Sequence, residues 1–169
     1  MINLKSAFKN FGVLDFLVIS SIIYVLSMLI WTASTRASVE SKAMSIKENH
    51  SNVINFINNE IKNCTDRPQS KTIWGEACNE AWKSKIIVDY IIKNIKLNNP
   101  YNNNDLLIQS ASDPRIQAEG KAGQSTKKGI IFISLSDFES EPGSEWIVGT
   151  CVKSPCVAAG NNELTSIYR

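Results

Sequence analysis

The sequence has a single histidine among its 169 residues, and this scarcity limits the catalytic chemistry that the chain can support. It also lacks an HExxH zinc motif, a G-x-S-x-G nucleophile motif and a glycine-rich phosphate loop. No serine, cysteine or carboxylate motif accompanies the histidine, so a hydrolytic triad has no basis. The sequence therefore gives no grounds for an enzyme, and no cofactor is expected.

Charge of one sign is not in excess either. The chain carries 18 basic and 16 acidic side chains, and its formal net charge is +2 at neutral pH. Proteins that bind nucleic acid usually show a strong basic excess or a basic stripe. Nucleic acid is therefore not indicated as a partner by the overall charge.

The longest stretch without a charged residue runs from Phe16 to Thr35 and contains 20 residues. A helix of that length rises about 30 Å, which matches the hydrocarbon thickness of a bilayer. Serine hydroxyls within the stretch do not exclude a membrane helix, because each can bond to a carbonyl one turn earlier. We predict a transmembrane helix over residues 11–35.

The residues before this stretch predict its orientation. Lys5, Lys9 and the amino terminus are positive, and no acidic residue precedes Asp15. Positive charge is concentrated on the cytoplasmic side of membrane helices. We therefore expect residues 1–10 to be a basic cytoplasmic leader and the rest of the chain to be exported.

A cleaved secretory signal peptide is the competing interpretation, because small residues follow the apolar stretch at Ala33, Ser34 and Ala37. The apolar region is longer than the roughly 7 to 15 residues that are usual in such peptides. The helical pattern also continues past the possible cleavage site. Both features favour a membrane anchor.

Residues 36–63 are predicted to continue the same helix into solvent, because no proline or glycine interrupts them. Their apolar residues recur every three or four positions, which places them on one face of a helix. The members of this stripe are Val39, Ala43, Ile46, His50, Val53, Ile57, Ile61 and Cys64.

Four of the rarer residues are expected in the core. His50 is on the apolar stripe, so we interpret it as a packed, hydrogen-bonded residue without a chemical role. Trp74, Trp82 and Trp146 could line a surface groove, but core packing is the favoured interpretation.

Residues 64–169 are predicted to form a globular α+β region. Pro68 and Gly75 indicate a loop, and residues 77–96 indicate a second helix. The segment LNNPYNNND is typical of a turn. Short β-branched and aromatic stretches then predict a small antiparallel sheet, on which the second helix packs. These predicted strands are LLIQSA, GIIFISL, EWIVGTCV and SIYR.

All four cysteines follow the apolar stretch, which favours disulfides in an exported domain. Three pairings are possible. The pairs Cys64 with Cys78 and Cys151 with Cys156 are favoured, because each is close in sequence and bounds a loop. The spacings do not match the paired short Cys motifs of structural zinc sites, so no metal is expected.

The order of these features resembles that of type IV pilins and of the related pseudopilins of secretion systems. A short basic leader precedes an aromatic residue, Phe11, and an acidic residue, Asp15, lies four positions later at the start of the apolar helix. NNPYNNND is similar to the Asn-Pro-Tyr turn before the sheet in many of these proteins. CVKSPC looks like their carboxyl-terminal disulfide loop.

This resemblance implies a pathway for processing and assembly. A prepilin peptidase would cut between Asn10 and Phe11, although the family has glycine where this chain has Asn10. The new amino terminus would be methylated, and Asp15 would neutralise an amino terminus as helices stack in a filament. The implied partners are the inner membrane, an assembly platform, and copies of the chain or related subunits.

The sequence thus leads to two functional hypotheses. The first is a structural subunit of a type IV pilus-like or pseudopilus filament, held in the bacterial inner membrane with its carboxyl-terminal domain in the periplasm. The second is a membrane-anchored periplasmic binding or accessory module that does not polymerise. They differ in whether the N-terminal helix is itself an interface.

Overall fold

The structure is a computed structural model in which residues 12–102, 106–111, 113–119, 127–135 and 145–168 are described. The chain divides into two compact units, Met1–Glu40 and Ser41–Arg169. The first unit is described only as helix and the residue before it. The second contains the remaining helical turns, two further helices and a sheet.

Helix α1 runs without interruption from Val13 to Asp66. It contains no proline or glycine, the residues that most often end or bend a helix. This confirms the predicted long N-terminal helix. From Ser41 onward, its buried residues are Ala43, Ile46, His50, Val53, Ile57, Glu60 and Cys64. Six of these seven belong to the predicted apolar stripe, and Glu60 was not predicted.

A four-stranded sheet forms the centre of the second unit. Its strands lie in the order β1 (Ile108–Ser110), β2 (Ile131–Leu135), β3 (Glu145–Cys151) and β4 (Asn162–Tyr168). Strand β3 is antiparallel to both of its neighbours, whereas β1 is parallel to β2. The predicted α+β class with a small sheet is confirmed, but the sheet is mixed rather than wholly antiparallel.

Helix α2 spans Ser84–Asn94, which is shorter than the predicted 77–96. The residues before it are held in another conformation, because Ala77 forms a β-bridge with Lys71 and Cys78 is in a disulfide. The Trp82 indole N–H also donates to the Ala77 carbonyl at 3.0 Å. These local bonds delay the start of the helix.

The short helix α3, Pro114–Glu119, was not predicted and lies against the face of the sheet on which Gly149 is found. A methyl group on Gly149 would approach the Pro114 carbonyl oxygen to 2.8 Å and the Ala118 methyl to 3.1 Å. The missing side chain at this position therefore lets α3 approach the sheet closely.

The core of the second unit lies between α1, α2 and the other sheet face. Ile46 and Ile57 of α1 share one buried cluster with Ile133 and Val148 of the sheet. Aromatic rings extend this cluster: Trp82 packs edge-to-face with both Trp74 and Trp146, with ring centroids 5.1 and 5.5 Å apart. Such edge-to-face contacts are favoured by the ring quadrupole.

Candidate functional site: the N-terminal apolar helix

The apolar segment, Val13–Thr35 of α1, has no covering layer within the described residues. Every large hydrophobic side chain from Val13 to Trp31 exposes at least 40% of its surface. The helix is long and apolar enough to cross a membrane, and none of its most apolar window is buried. A core helix of a soluble protein would bury such a surface, so this segment is a candidate surface for lipid or for other helices.

Five of the six serine and threonine hydroxyl groups of the segment are bonded to its own backbone. Ser20, Ser21 and Ser27 donate to carbonyl oxygens three or four residues earlier, at 2.7 to 3.0 Å. Thr32 and Thr35 do the same at 3.0 to 3.1 Å. These bonds satisfy the hydroxyl protons without water, as predicted for the serines. The segment can therefore enter an apolar environment without leaving these donors unpaired.

Asp15 lies in the first turn of α1, and its carboxylate bonds to the start of the helix. Its Oδ2 accepts the Gly12 backbone N–H at 3.0 Å, and the Phe16 N–H donates to the Gly12 carbonyl at 3.2 Å. An acidic third helical residue that bonds back to the preceding cap residue is half of a capping box. The negative charge is also favoured by the helix dipole.

The position of Asp15 leaves its charge available to a partner. The side chain is exposed, and none of the ion pairs among the described residues involves it. The two other residues predicted for leader cleavage and assembly, Asn10 and Phe11, lie outside the described residues. The structure therefore supplies geometry for Asp15 alone.

Both favoured disulfides are present in the second unit. Cys64 at the end of α1 is joined to Cys78, and Cys151 at the end of β3 is joined to Cys156. The first connects α1 to the loop that precedes α2. Among the residues that the structure describes, no cysteine is free.

His50 is buried where α1 meets strand β3, which confirms the prediction that it is a packed, hydrogen-bonded residue. It is 4% exposed, and its Nε2 lies 3.3 Å from the Val148 carbonyl oxygen, to which it donates. Burial lowers the pKa of His50 below its ordinary value, while the carbonyl bond and the Glu163 carboxylate oppose this change. A neutral imidazole is therefore favoured in the folded chain.

Glu60 is a buried acidic residue that the apolar stripe did not predict. It is 4% exposed, and its Oε1 accepts the Ile73 backbone N–H at 2.8 Å. Its Oε2 accepts a hydrogen bond from the Asn63 side-chain amide at 3.1 Å. Glu60 therefore holds the loop closed by the Cys64–Cys78 disulfide against α1. Its spacing of three residues after Ile57 was the only signal in the sequence.

Metal-binding geometry is not found in the part of the chain that the structure describes, where no three His, Cys, Asp or Glu side chains form a possible site. Comparisons of the chain with known protein families, with curated proteins and with solved structures find no match. The features that bear on function are therefore the apolar segment, Asp15 and the fold of the second unit.

Proposed function

We propose that the chain is a structural subunit of a type IV pilus-like or pseudopilus filament and assembles through its N-terminal helix. One observation carries this proposal: a single unbroken helix supplies both an uncovered apolar segment and, after Ser41, a stripe of core residues for an α+β unit. The segment would lie in the inner membrane before assembly. It would then pack against the same segment of other subunits in the filament.

Asp15 is the proposed assembly residue. In a bundle of apolar helices an unpaired amino terminus is costly, and a nearby carboxylate offsets that cost. The Asp15 side chain is exposed and in the first helical turn, where it can meet the amino terminus of a neighbouring subunit. Removal of the leader before Phe11 by a prepilin peptidase, and methylation of the new terminus, complete this proposal.

The proposed topology follows from the same features. The leader would be cytoplasmic, the apolar segment would span the inner membrane once, and the second unit would be periplasmic or on an extracellular filament. The two disulfides support an oxidising compartment for the second unit. An assembly platform in the membrane would be the further partner, and no enzymatic role is proposed.

A non-polymerising membrane anchor is the second candidate, and one observation favours it. The Asp15 carboxylate already bonds to the Gly12 N–H of its own chain, so its presence is explained by helix capping alone. In that case the apolar segment would contact only lipid. The second unit would act as a binding or accessory module in the periplasm.

The two candidates differ in the effect of Asp15→Ala. Loss of one capping bond should cost about 1 kcal/mol of helix stability, so membrane levels should stay close to wild type in both cases. A filament subunit should nevertheless give a much lower yield of sheared filaments. The experiment compares sheared yield at equal membrane levels in cells that produce the assembly machinery.

Two variants control this measurement. Asp15→Glu keeps the charge and should assemble, whereas Asp66→Ala removes an exposed carboxylate from the other end of α1 and should change nothing. Equal filament yield for Asp15→Ala and Asp66→Ala would reject the assembly role. Absence of the chain from all sheared material would favour the anchor.

A further inference from the structure

Strand β4 is the last strand of the sheet and has one unpaired side within the described residues. The strand order is β1-β2-β3-β4, so β3 covers only one side of β4. The backbone hydrogen bonds found among the described residues include none that joins the other side of β4 to a further strand or loop. We refer to this open side, over Asn162–Tyr168, as the β4 edge.

The pairing with β3 shows which backbone groups of β4 point outward. The Val152 N–H donates to the Asn161 carbonyl at 2.8 Å, so the backbone of Asn161 faces β3. Residues whose backbone groups face a given neighbour alternate along an antiparallel pair. The N–H and C=O groups that face away from β3 therefore belong to Asn162, Leu164, Ser166 and Tyr168.

The β4 edge lacks the features that usually protect an exposed edge strand. Natural edges are very short, carry a bulge or proline, or present lysine and other charges. Strand β4 pairs with β3 in a continuous register over Asn162–Tyr168, and its sequence, NELTSIY, contains neither proline nor lysine. Its one charged residue, Glu163, is already paired with Lys47 at 2.7 Å. The β4 edge is thus an open template for a further strand.

The opposite edge of the sheet does not offer such a template. Strand β1 has only three residues, whereas β4 has seven. A short edge strand gives a partner few backbone groups to bond. Strand addition to this sheet is therefore expected at β4.

The sequence of β4 fits antiparallel pairing with a second copy of itself. When Thr165 lies opposite Thr165 of the second copy, every residue of the strand has an opposite residue, and the outward groups of Leu164 meet those of Ser166 of the second copy. Up to about eight hydrogen bonds would form in this register. A shift by two residues would leave the last residues of each strand unpaired.

Charge and side-chain pairing support the same register. Glu163 lies opposite Ile167 of the second copy, so no like charges are placed directly across from each other. The central pair joins two threonines, a cross-strand combination that stabilises sheets. The exposed side chains of Leu164, Ser166 and Tyr168 are also uncharged.

We infer that two copies of the chain associate through their β4 edges, in an antiparallel pair centred on Thr165, so that two four-stranded sheets become one. This contact involves the second unit alone and does not depend on the filament hypothesis. An edge pair is small compared with the roughly 1,200 to 2,000 Å² of stable interfaces, so the complex is weak and reversible. It forms where copies are concentrated.

The test introduces one cysteine per chain and compares positions. In the proposed register residue 165 is in a non-hydrogen-bonded pair, whose Cα atoms lie about 4.5 Å apart, within the roughly 4.4 to 6.8 Å that a disulfide requires. The full-length Thr165→Cys chain in detergent micelles, treated with oxidised glutathione, should form a disulfide-linked dimer. Peptide mass spectrometry should place the link between the two substituted positions.

Tyr168→Cys is the matched control. Tyr168 is 68% exposed, whereas Thr165 is half-buried, so random collisions would favour linkage at position 168. In the proposed pair the two copies of residue 168 are offset by six residues, or roughly 20 Å, which is too far for a disulfide. We expect Thr165→Cys to give at least about fivefold more dimer than Tyr168→Cys. Equal linkage at the two positions, or more at 168, would overturn the inference.

A proline tests the backbone bonds of the pair. The Ser166 N–H faces away from β3, so Ser166→Pro removes no bond from the sheet of its own chain. Combined with Thr165→Cys, it should lower the dimer yield about tenfold, because each copy loses one bond. Ser166→Ala keeps the N–H and should leave the yield unchanged. A dimer yield with proline equal to that with alanine would refute the pairing.

Near-ultraviolet circular dichroism shows whether these variants keep the packing of the second unit. If Ser166→Pro does not, Ser166→Lys replaces it, because a lysine on an edge disfavours strand addition without changing the backbone. It should also lower the dimer yield, and an unchanged yield would refute the pairing.

Other contacts give other outcomes. Association through the apolar segment alone would produce dimers in the micelles without any preference for position 165, and this would overturn the inference. If a strand of another protein is the natural occupant of the β4 edge, purified Thr165→Cys chains would stay unlinked, and self-pairing would likewise be rejected. Neither outcome alters the yield of sheared filaments, which tests the proposed function separately.

Discussion

Replacement of the buried Glu60 should weaken the second unit far more than replacement of an exposed acid on the same helix. Glu60→Ala leaves the Ile73 N–H without its acceptor at 2.8 Å, in a part-buried position. A buried donor without a partner costs about 1 to 3 kcal/mol, and hydrogen bonds to charged groups are worth about 1.5 to 3 kcal/mol. Both figures describe the loss of the same bond, so they are not added, and the expected loss is about 1.5 to 3 kcal/mol.

The size of the loss can be measured by calorimetric melting of the full chain in detergent micelles. A domain of this size loses about 3 to 5 °C in Tm for each kcal/mol, so Glu60→Ala should melt on the order of 10 °C below wild type. Glu60→Gln keeps an oxygen that can accept the Ile73 N–H, and it should lose only about 1 kcal/mol.

Glu48→Ala is the matched control, because Glu48 is an exposed acid of α1 and its removal should stay within about 0.5 kcal/mol. If Glu60→Ala melts within about 2 °C of Glu48→Ala, the buried carboxylate does not hold the loop. The bond to Ile73 would then have to be made by water in solution. That outcome would refute the reasoning, not merely its magnitude.

Three other predictions follow from single residues. Burial lowers the pKa of His50 in the folded chain, so the unfolded chain takes up this proton at a higher pH. The free energy of unfolding should therefore be highest above about pH 7 and should fall as the pH drops below about 6.5. Thermal melts of His50→Gln should lack this fall. Gly149→Ala should cost about 1 to 3 kcal/mol in urea melts, because the methyl would lie 2.8 Å from the Pro114 carbonyl oxygen. Mature filament material should begin at Phe11, and an intact chain that retains Met1 would contradict leader removal.

The features that the sequence predicts well are those set by neighbours along the chain. The helical stripe that buries Ile46 and His50 follows from a period of 3.6 residues and from the absence of proline and glycine. The first three strands follow from β-branched and aromatic runs between turn residues, whereas β4 begins at Asn162, four residues before the predicted SIYR. The disulfide of Cys151 with Cys156 is likewise local, because few residues separate its ends.

The features that were missed are set by particular hydrogen bonds and strand pairings, which residue patterns do not specify. The parallel pairing of β1 with β2 is one of these features, because parallel neighbours require a crossover connection that short strand patterns do not specify. The shortened start of α2 depends on the bond of Ala77 to Lys71. Glutamate is usually exposed to solvent, so the residue type of Glu60 did not indicate burial. Glu60 is buried because its carboxylate accepts a hydrogen bond from the Ile73 N–H in the loop. At the candidate site, the pairing of Asp15 with Gly12 was likewise not predicted.

The four tryptophans divide between the two units in a way that gives the chain two separate optical reporters. Trp74, Trp82 and Trp146 are buried, and Trp82 packs against both of the others, so their near-ultraviolet circular dichroism depends on intact packing of the second unit. Trp31 is 74% exposed on the apolar segment, and its emission depends on whether water, lipid or another helix surrounds it. A Trp31→Phe variant would remove one signal without disturbing the other. Folding of the second unit and any change in the surroundings of the apolar segment can therefore be followed as independent events in one sample.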